Sequence, residues 1–400
     1  MFEASLNEPQ SRIDRVQVVA LVGLMLLGAV FVYSATMVSE TARLAPWYNQ
    51  SWFRQVVWYG IGTGAAVALC WVDYHTMARW AMFIYWVAVL LLAAVLVFGT
   101  VRFGARRWFD LGLFSVQPSE FAKLAFILAQ AHFLSRPVEE LRLLTTFWKA
   151  LGMMLLPVVL VLKEPDLGSA LVFLPAGLAM LYVAGTPRRY LLRLLGGVGI
   201  VGILFLVDVL FAPANWQVKL EDYQRRRLLV YFGINYAPPG APKAERERRR
   251  KQQFDDSHNV RQALISVGSG GLTGKGWRQG TQNALGYLPR SVAHNDFILS
   301  VIAEEKGFVG SVTVLTLYGA VLFSGIRIAG QARDRLGKTM AVGVVTLLFS
   351  HVFINIGMNI RIMPVTGVPL PLLSYGGSSV LVSLIAMGLL HNVHTHKRTY

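Results

Sequence analysis

Asp296 stands where a long polar stretch gives way to an apolar one, in SVAHNDFILSVIAEEKG, with Glu304 and Glu305 about two turns further on. A carboxylate within hydrogen-bond reach of a hydroxyl takes its proton as that oxygen attacks. Ionisable groups inside apolar spans are costly, and by default they mark function. Helical spacing turns Asp296 and Glu304 in broadly similar directions and Glu305 away. The same aspartate reads equally well as the N-cap of a helix, where a carboxylate is favoured.

Four other segments carry groups of the same kind. In QPSEFAK, Pro118 suits a helix start, and Glu120 and Lys123 are neighbours on one face. An ion pair there either lines a cavity or braces helices. Upstream, Arg102, Arg106, Arg107 and Trp108 form a basic, aromatic segment suited to a diphosphate and the face of a sugar, or to anchoring at a membrane interface. KEPDLGS puts Glu164 and Asp166 in a tight turn, which needs polar residues for structural reasons alone. The run SVGSGGLTGKGWRQGTQ is not a nucleotide-binding P-loop, because Ser269 and Gly276 occupy positions that motif reserves for other residues. It reads as flexible backbone near a groove, with Lys275 and Arg278 available for phosphate. His294 with Asp296 supplies only two metal ligands, which do not make a site. His391, His394 and His396 read as a solvated cytoplasmic tail in preference to a metal site.

The elements that position these residues follow from composition. Of 400 residues, 54% are hydrophobic and 15% charged, against about a quarter charged in soluble domains. A membrane-crossing helix needs about 20 apolar residues. Such stretches fall at 16–37, 53–72, 80–100, 118–135, 147–163, 166–185, 191–212, 296–325, 338–360 and 374–393. The predicted fold is therefore all-α and polytopic, with about ten transmembrane helices and one large loop at 213–295. The block from Val16 to Val32 is too long for a signal-peptide core and reads as an uncleaved anchor. Cys70 is alone, which excludes an intramolecular disulfide. The net charge of +16 does not point to nucleic acid, because the basic residues fall between spans and in one loop.

Short loops bearing Arg79, Arg136 with Arg142, Arg188 with Arg189 and Arg193, and Arg327 through Lys338 alternate as cytoplasmic connectors. Both termini are then cytoplasmic, and every Gly- or Pro-rich segment opens to the exterior. Nucleotide sugars and ATP are absent there, so an external transferase needs a donor that carries its own activation, such as a polyprenyl-diphosphate-linked sugar. The stretch from Ala237 to Ser257 reads as a local insertion too polar to pack.

GARRWFDLG, QPSEFAKLA, EPDLGSALV, VGSGGLTGKGWRQGTQ, NDFILSVIAEEKG and NIGMNIRIMPVTGVPLPLLSYGGSS, in this order from about Trp52 to His396, closely resemble the SEDS family of shape, elongation, division and sporulation proteins. The PVTGVPLP version with its short His-rich tail is more similar to the RodA branch than to the FtsW branch. The resemblance implies one membrane domain over 1–400, a peptidoglycan glycosyltransferase of the bacterial cytoplasmic membrane that polymerises lipid II for elongation and shape. It implies a class B penicillin-binding protein as partner, alongside membrane lipids. It makes Asp296 the catalytic aspartate, Glu120 and Lys123 the intramembrane ion pair and Asp166 the acid of the PDLG turn, the last three expected, with Arg102, Arg106, Trp108 and Lys275, to bind substrate. Departures are Arg290 after Pro289, Asn295 within the triplet, and Lys306 after the paired glutamates.

The implied chemistry converts an α-linked donor to a β-1,4 product by inverting displacement, with Asp296 as general base. Arg102, Arg106, Lys123, Lys275 or a divalent cation would offset charge on the departing diphosphate, and Trp108 would meet a sugar face. Two rivals share the sequence features: a flippase for lipid-linked precursor, and a non-catalytic scaffold for a penicillin-binding protein.

Overall fold

The computed structural model describes residues 13–396 apart from 39, 103, 104, 111, 113, 212–221, 235, 237–241 and 289. The first residues of the 213–295 segment and the start of the polar insertion therefore lie outside the described residues, as do 397–400.

Among the described residues ten long helices run alternately between two ends of a bundle: α1 (Arg15–Thr36), α2 (Ser51–Cys70), α3 (Ala81–Phe98), α4 (Pro118–Leu134), α5 (Leu144–Lys163), α6 (Leu167–Ala184), α7 (Arg188–Phe211), α9 (Ile298–Gln331), α10 (Arg335–Asn359) and α11 (Gly377–His396). A further long helix, α8 (Lys243–Ser269), precedes α9, and shorter helices lie in the connections. In lipid every backbone polar group must be paired within the protein, and helices achieve this within one segment. Eight of the ten are long and apolar enough to cross a membrane. The other two, α2 and α4, coincide with the expected spans at 53–72 and 118–135. The sequence of α4 carries Glu120, Lys123, Gln130 and His132. Such groups are tolerated where a helix faces protein, and its side chains are almost all buried. α10 and α11 form the centre, with 72% and 78% of their apolar windows covered, while α7 lies at the edge with 6%. α11 packs along α2, α10 along α6 and α9, and α1 along α9.

Three sequence expectations change. The basic segment before QPSEFAK is an antiparallel sheet rather than a plain loop, β1 (Thr100–Arg102), β2 (Ala105–Asp110) and β3 (Ser115–Val116) in that order, with Val101 opposite Arg106 and Phe109 opposite Val116. The described part of the polar insertion is helical: α8 begins at Lys243, an Arg249–Glu245 pair at 2.8 Å spans one turn, and the helix packs against α9. Its later turns supply the apolar contact through Val260 and Ala263, which the basic start conceals.

The third change concerns the expected span at 296–325. α9 starts two residues later, and its helix breaks at Gly307, whose φ is 64° and ψ −154°. The glycine-rich run is fixed in that break. Lys275 and Gly276 N–H groups donate to the carbonyls of Glu304 and Glu305, each at 3.0 Å, while Phe308 and Val309 N–H groups donate to Gly271 and Leu272 carbonyls at 2.8 and 3.1 Å. The break's exposed backbone groups are thereby paired. A Cβ at Gly274, whose φ is +82°, would lie 2.2 Å from the Glu305 carbonyl oxygen. Gly274→Val is therefore expected to cost about 1–3 kcal/mol in strain and overpacking, seen as a lower melting temperature in detergent.

Candidate functional site

The backbone of His294, Asn295 and Asp296 is held at three successive carbonyls. Tyr375 N–H donates to His294 at 2.9 Å, Ser374 Oγ to Asn295 at 2.6 Å, and both Asn355 Nδ2 and Asn359 Nδ2 to Asp296 at 3.0 and 3.1 Å. Asn359 Oδ1 in turn accepts from Ser300 Oγ at 2.6 Å. Two asparagines one turn apart on α10 thus fix the residue two positions before the start of α9. The Asp296 side chain is half-buried, and its Oδ2 lies beside Gly367, 3.6 Å from where a Cβ there would stand.

Gly367 belongs to the non-helical stretch 361–376. Irregular backbone at membrane depth persists only when buried in protein or lining a cavity. Here buried side chains hold it: Gln55 Nε2 donates to the Ser374 carbonyl at 3.0 Å, Tyr59 to Leu372, and Tyr318 to Pro371. On its other side lies the PDLG turn. A Cβ at Gly168 would stand 2.8 Å from the Thr366 carbonyl, so glycine lets α6 approach this stretch closely. Asp166 caps α6, accepting from Ser169 N–H at 3.1 Å, Ser169 Oγ at 2.9 Å and Gln117 Nε2 at 2.9 Å. Gln117 immediately precedes α4. One end of the bundle therefore collects Asp296, Asp166 and the start of the helix bearing Glu120 and Lys123.

Lys123 is 1% exposed and Glu120 3%. Lys123 Nζ donates to Glu120 Oε1 at 2.7 Å and meets His351 Nε2 at 2.9 Å. His351, Asn355 and Asn359 recur every four residues and share one face of α10. This stripe connects the buried pair to the Asp296 carbonyl. Sequence reasoning passed over His351, although an ionisable residue within an apolar span was itself the signal.

The remaining expected residues sit apart from that stripe. Arg106 is exposed on β2 and donates to the Val97 carbonyl at 3.2 Å; Trp108 is half-buried and pairs with Thr100. Arg102 ends β1, and its side chain lies outside the described residues. Lys275 is 27% exposed and donates to Glu304 Oε1 at 2.6 Å and to Thr281 Oγ1 at 2.7 Å. Two of its three N–H donors are thus engaged. Glu304 also accepts from Gln282 N–H at 3.0 Å, whereas Glu305 accepts from Ser34 Oγ at 2.6 Å. Both glutamates are 1% exposed and brace the loop and α1. The expected shared direction of Asp296 and Glu304 does not hold, because Asp296 precedes the first turn of α9. Among the described residues no group of three or more His, Cys, Asp or Glu could hold a metal ion.

Arg107 clamps the PDLG turn, its Nε donating to the Glu164 carbonyl at 2.8 Å and its Nη2 to Pro165. The Glu164 carboxyl is fully buried, and among the described residues neither oxygen has a hydrogen-bond partner. Burial foremost, then the nearby Asp166 charge, pushes Glu164 up to about 8 against the opposing pull of Arg107. In the unfolded chain the group ionises near 4.5. Between those values the folded protein binds more protons than the unfolded one, so stability falls as pH rises. Melting temperatures from pH 5 to pH 8.5 should show this decline, and Glu164→Gln should flatten it.

A family model described as a cell cycle protein, FTSW_RODA_SPOVE, matches residues 15–399. The peptidoglycan glycosyltransferase MrdB of Escherichia coli K12 is 35% identical over 375 residues, 94% of this chain and 93% of that protein. Stage V sporulation protein E of Bacillus subtilis 168 is 35% identical over 394 residues, 96% and 98% of the two chains. Among solved structures, one described as "Structural coordination of polymerization and crosslinking by a peptidoglycan synthase complex" matches with a TM-score of 0.74 at 30% identity, covering 97% of this chain and 99% of that one. The rod shape determining protein RodA of Thermus thermophilus matches with a TM-score of 0.64 at 29% identity, covering 96% and 97%.

Proposed function

Since the chain belongs to the SEDS family and is a multi-pass membrane peptidoglycan glycosyltransferase, we propose that it polymerises lipid II at the end of the bundle that carries Asp296. That end faces the exterior, and both termini face the cytoplasm. Supporting this orientation, the connectors bearing Arg79, Arg136, Arg142, Arg188, Arg189, Arg333, Arg335 and Lys338 all gather at the opposite end.

The observation that carries the reading is the Asp296 carboxylate, half-buried on a backbone pinned at three carbonyls. Preorganisation of this kind is what a general base requires, because small displacements from an attacking hydroxyl cost rate steeply. Asp296 takes the acceptor hydroxyl proton as that oxygen attacks the donor's anomeric carbon and the diphosphate departs. Arg102 and Arg106 are the cations assigned to the diphosphate, with the third donor of Lys275, and Trp108 is assigned to a sugar face. Glu120, Lys123 and Asp166 position α4, α6 and α10 around the substrate. A divalent cation on the diphosphate would draw further ligands from the substrate itself. The RodA-like end of the family, and hence elongation with a class B penicillin-binding protein, is the role proposed for the cell; the match to a chain of a peptidoglycan synthase complex supports such a partner.

Purified protein supplied with lipid II in detergent is expected to yield β-1,4-linked glycan chains. Movement of lipid II between leaflets of reconstituted vesicles with no new glycosidic bond would instead establish the flippase reading.

A further inference from the structure

The end of the bundle opposite Asp296 carries a second feature with a recognisable chemistry. A cleft of about 690 Å³ opens there between the α6–α7 turn, the segment before α5 and the first turn of α10. Arg142, Arg188, Arg189 and Lys338 converge on it, and among the described residues no carboxylate lines it. Among the described residues no ion pair engages any of the four. The N-terminus of the 24-residue helix α7 adds its positive dipole end at the same place. Tyr182 and Tyr190 stand beside Arg188 and Arg189, with guanidinium-to-ring distances of 6.0 and 5.1 Å, as aromatic residues do at headgroup depth.

This cleft adjoins a second of a different character. A groove of about 410 Å³ lies between α9 and α10, walled by Leu322, Ile326, Val342 and Phe349. Val183 and Lys338 line both cavities. From Val342 to Phe349 the groove extends about 10 Å toward the bilayer centre, at about 1.5 Å per residue. Ile326 and Phe349 are 61% and 51% exposed along it. A Cβ at Gly330 would meet nothing within 4 Å among the described residues, so the groove is open beside it.

Positive connectors alone follow from topology, since basic residues gather on the cytoplasmic side of any such bundle. Topology does not require them to converge on one cleft, nor that cleft to adjoin an apolar groove at Lys338. The pair of cavities matches one amphiphile: an anion with a hydrocarbon tail. We propose that the composite cleft binds an anionic diacyl phospholipid, its phosphodiester held by Arg142, Arg188, Arg189 and Lys338 and one acyl chain lying along α9 and α10. Such a lipid bridges the loosely covered α7 to α10, and to α9, the helix that Asp296 precedes at the far end.

Native mass spectrometry of the full-length protein, with melting temperature as a second readout, tests this using phosphatidylglycerol, phosphatidylcholine of the same acyl chains, and inorganic phosphate. Phosphatidylglycerol should be retained over phosphatidylcholine by about tenfold or more, given the contribution of each basic residue at an anionic surface. It should also raise the melting temperature where inorganic phosphate does not. The triple variant Arg188→Gln, Arg189→Gln, Lys338→Gln should lose the preference. Gly330→Phe, which leaves every cation in place, should weaken retention by occupying the groove. Equal retention of the two lipids by the unaltered protein overturns the proposal, as does a preference that survives the triple substitution. Protection by inorganic phosphate equal to that by phosphatidylglycerol overturns the role of the groove.

Discussion

Asp296→Asn is expected to slow glycan polymerisation by about 10²- to 10⁴-fold, the range contributed by a positioned general base, while leaving the protein folded. The loss of rate follows from chemistry, since an amide cannot accept the hydroxyl proton. The retention of fold follows from geometry. Asn355, Asn359 and their neighbours bind backbone carbonyls of the 294–296 triplet, which the substitution leaves in place. Asparagine also has nearly the same shape, so the space beside Gly367 is unchanged. Rates from lipid II, taken on protein with a matched elution profile and melting temperature, check both halves.

Lys123→Met is expected to act through stability instead. Lys123 and Glu120 are both enclosed, and removing one partner of a buried pair costs about 3–5 kcal/mol because the other charge is left uncompensated. His351 Nε2 would also lose its ammonium partner. Adding Glu120→Gln to Lys123→Met removes the stranded charge and should recover much of the loss. Thermal unfolding of the single and double variants in detergent measures the recovery. Polymerisation should stay impaired in the double variant, since the stripe from His351 to Asn359 is no longer held from α4.

What the sequence disclosed, and what it hid, has a physical pattern. Transmembrane helices declare themselves by length and apolarity, and among the described residues eight of the ten expected spans meet that measure, while those at 53–72 and 118–135 are helices too short or too polar to meet it. The Glu120–Lys123 pair was legible because both partners lie within one turn of one helix. His351 was not, because its partner is 228 residues away and only packing of α10 on α4 joins them. The glycine run looked like loose backbone for the same reason: its hydrogen-bond partners are the groups freed by a helix break at Gly307, and a continuous apolar pattern conceals such a break. Nor could composition reveal that Asn355 and Asn359 hold a backbone carbonyl of Asp296. Spacing one turn apart implies a shared face, not the atom that face meets.

Lipid II binding by purified Asp296→Asn protein, measured beside single-turnover formation of the glycosidic bond, probes the general-base role most directly. Unchanged affinity with bond formation all but abolished is the expected result. A variant that forms the bond at the unaltered rate, or one whose failure is entirely a failure to bind, would contradict it.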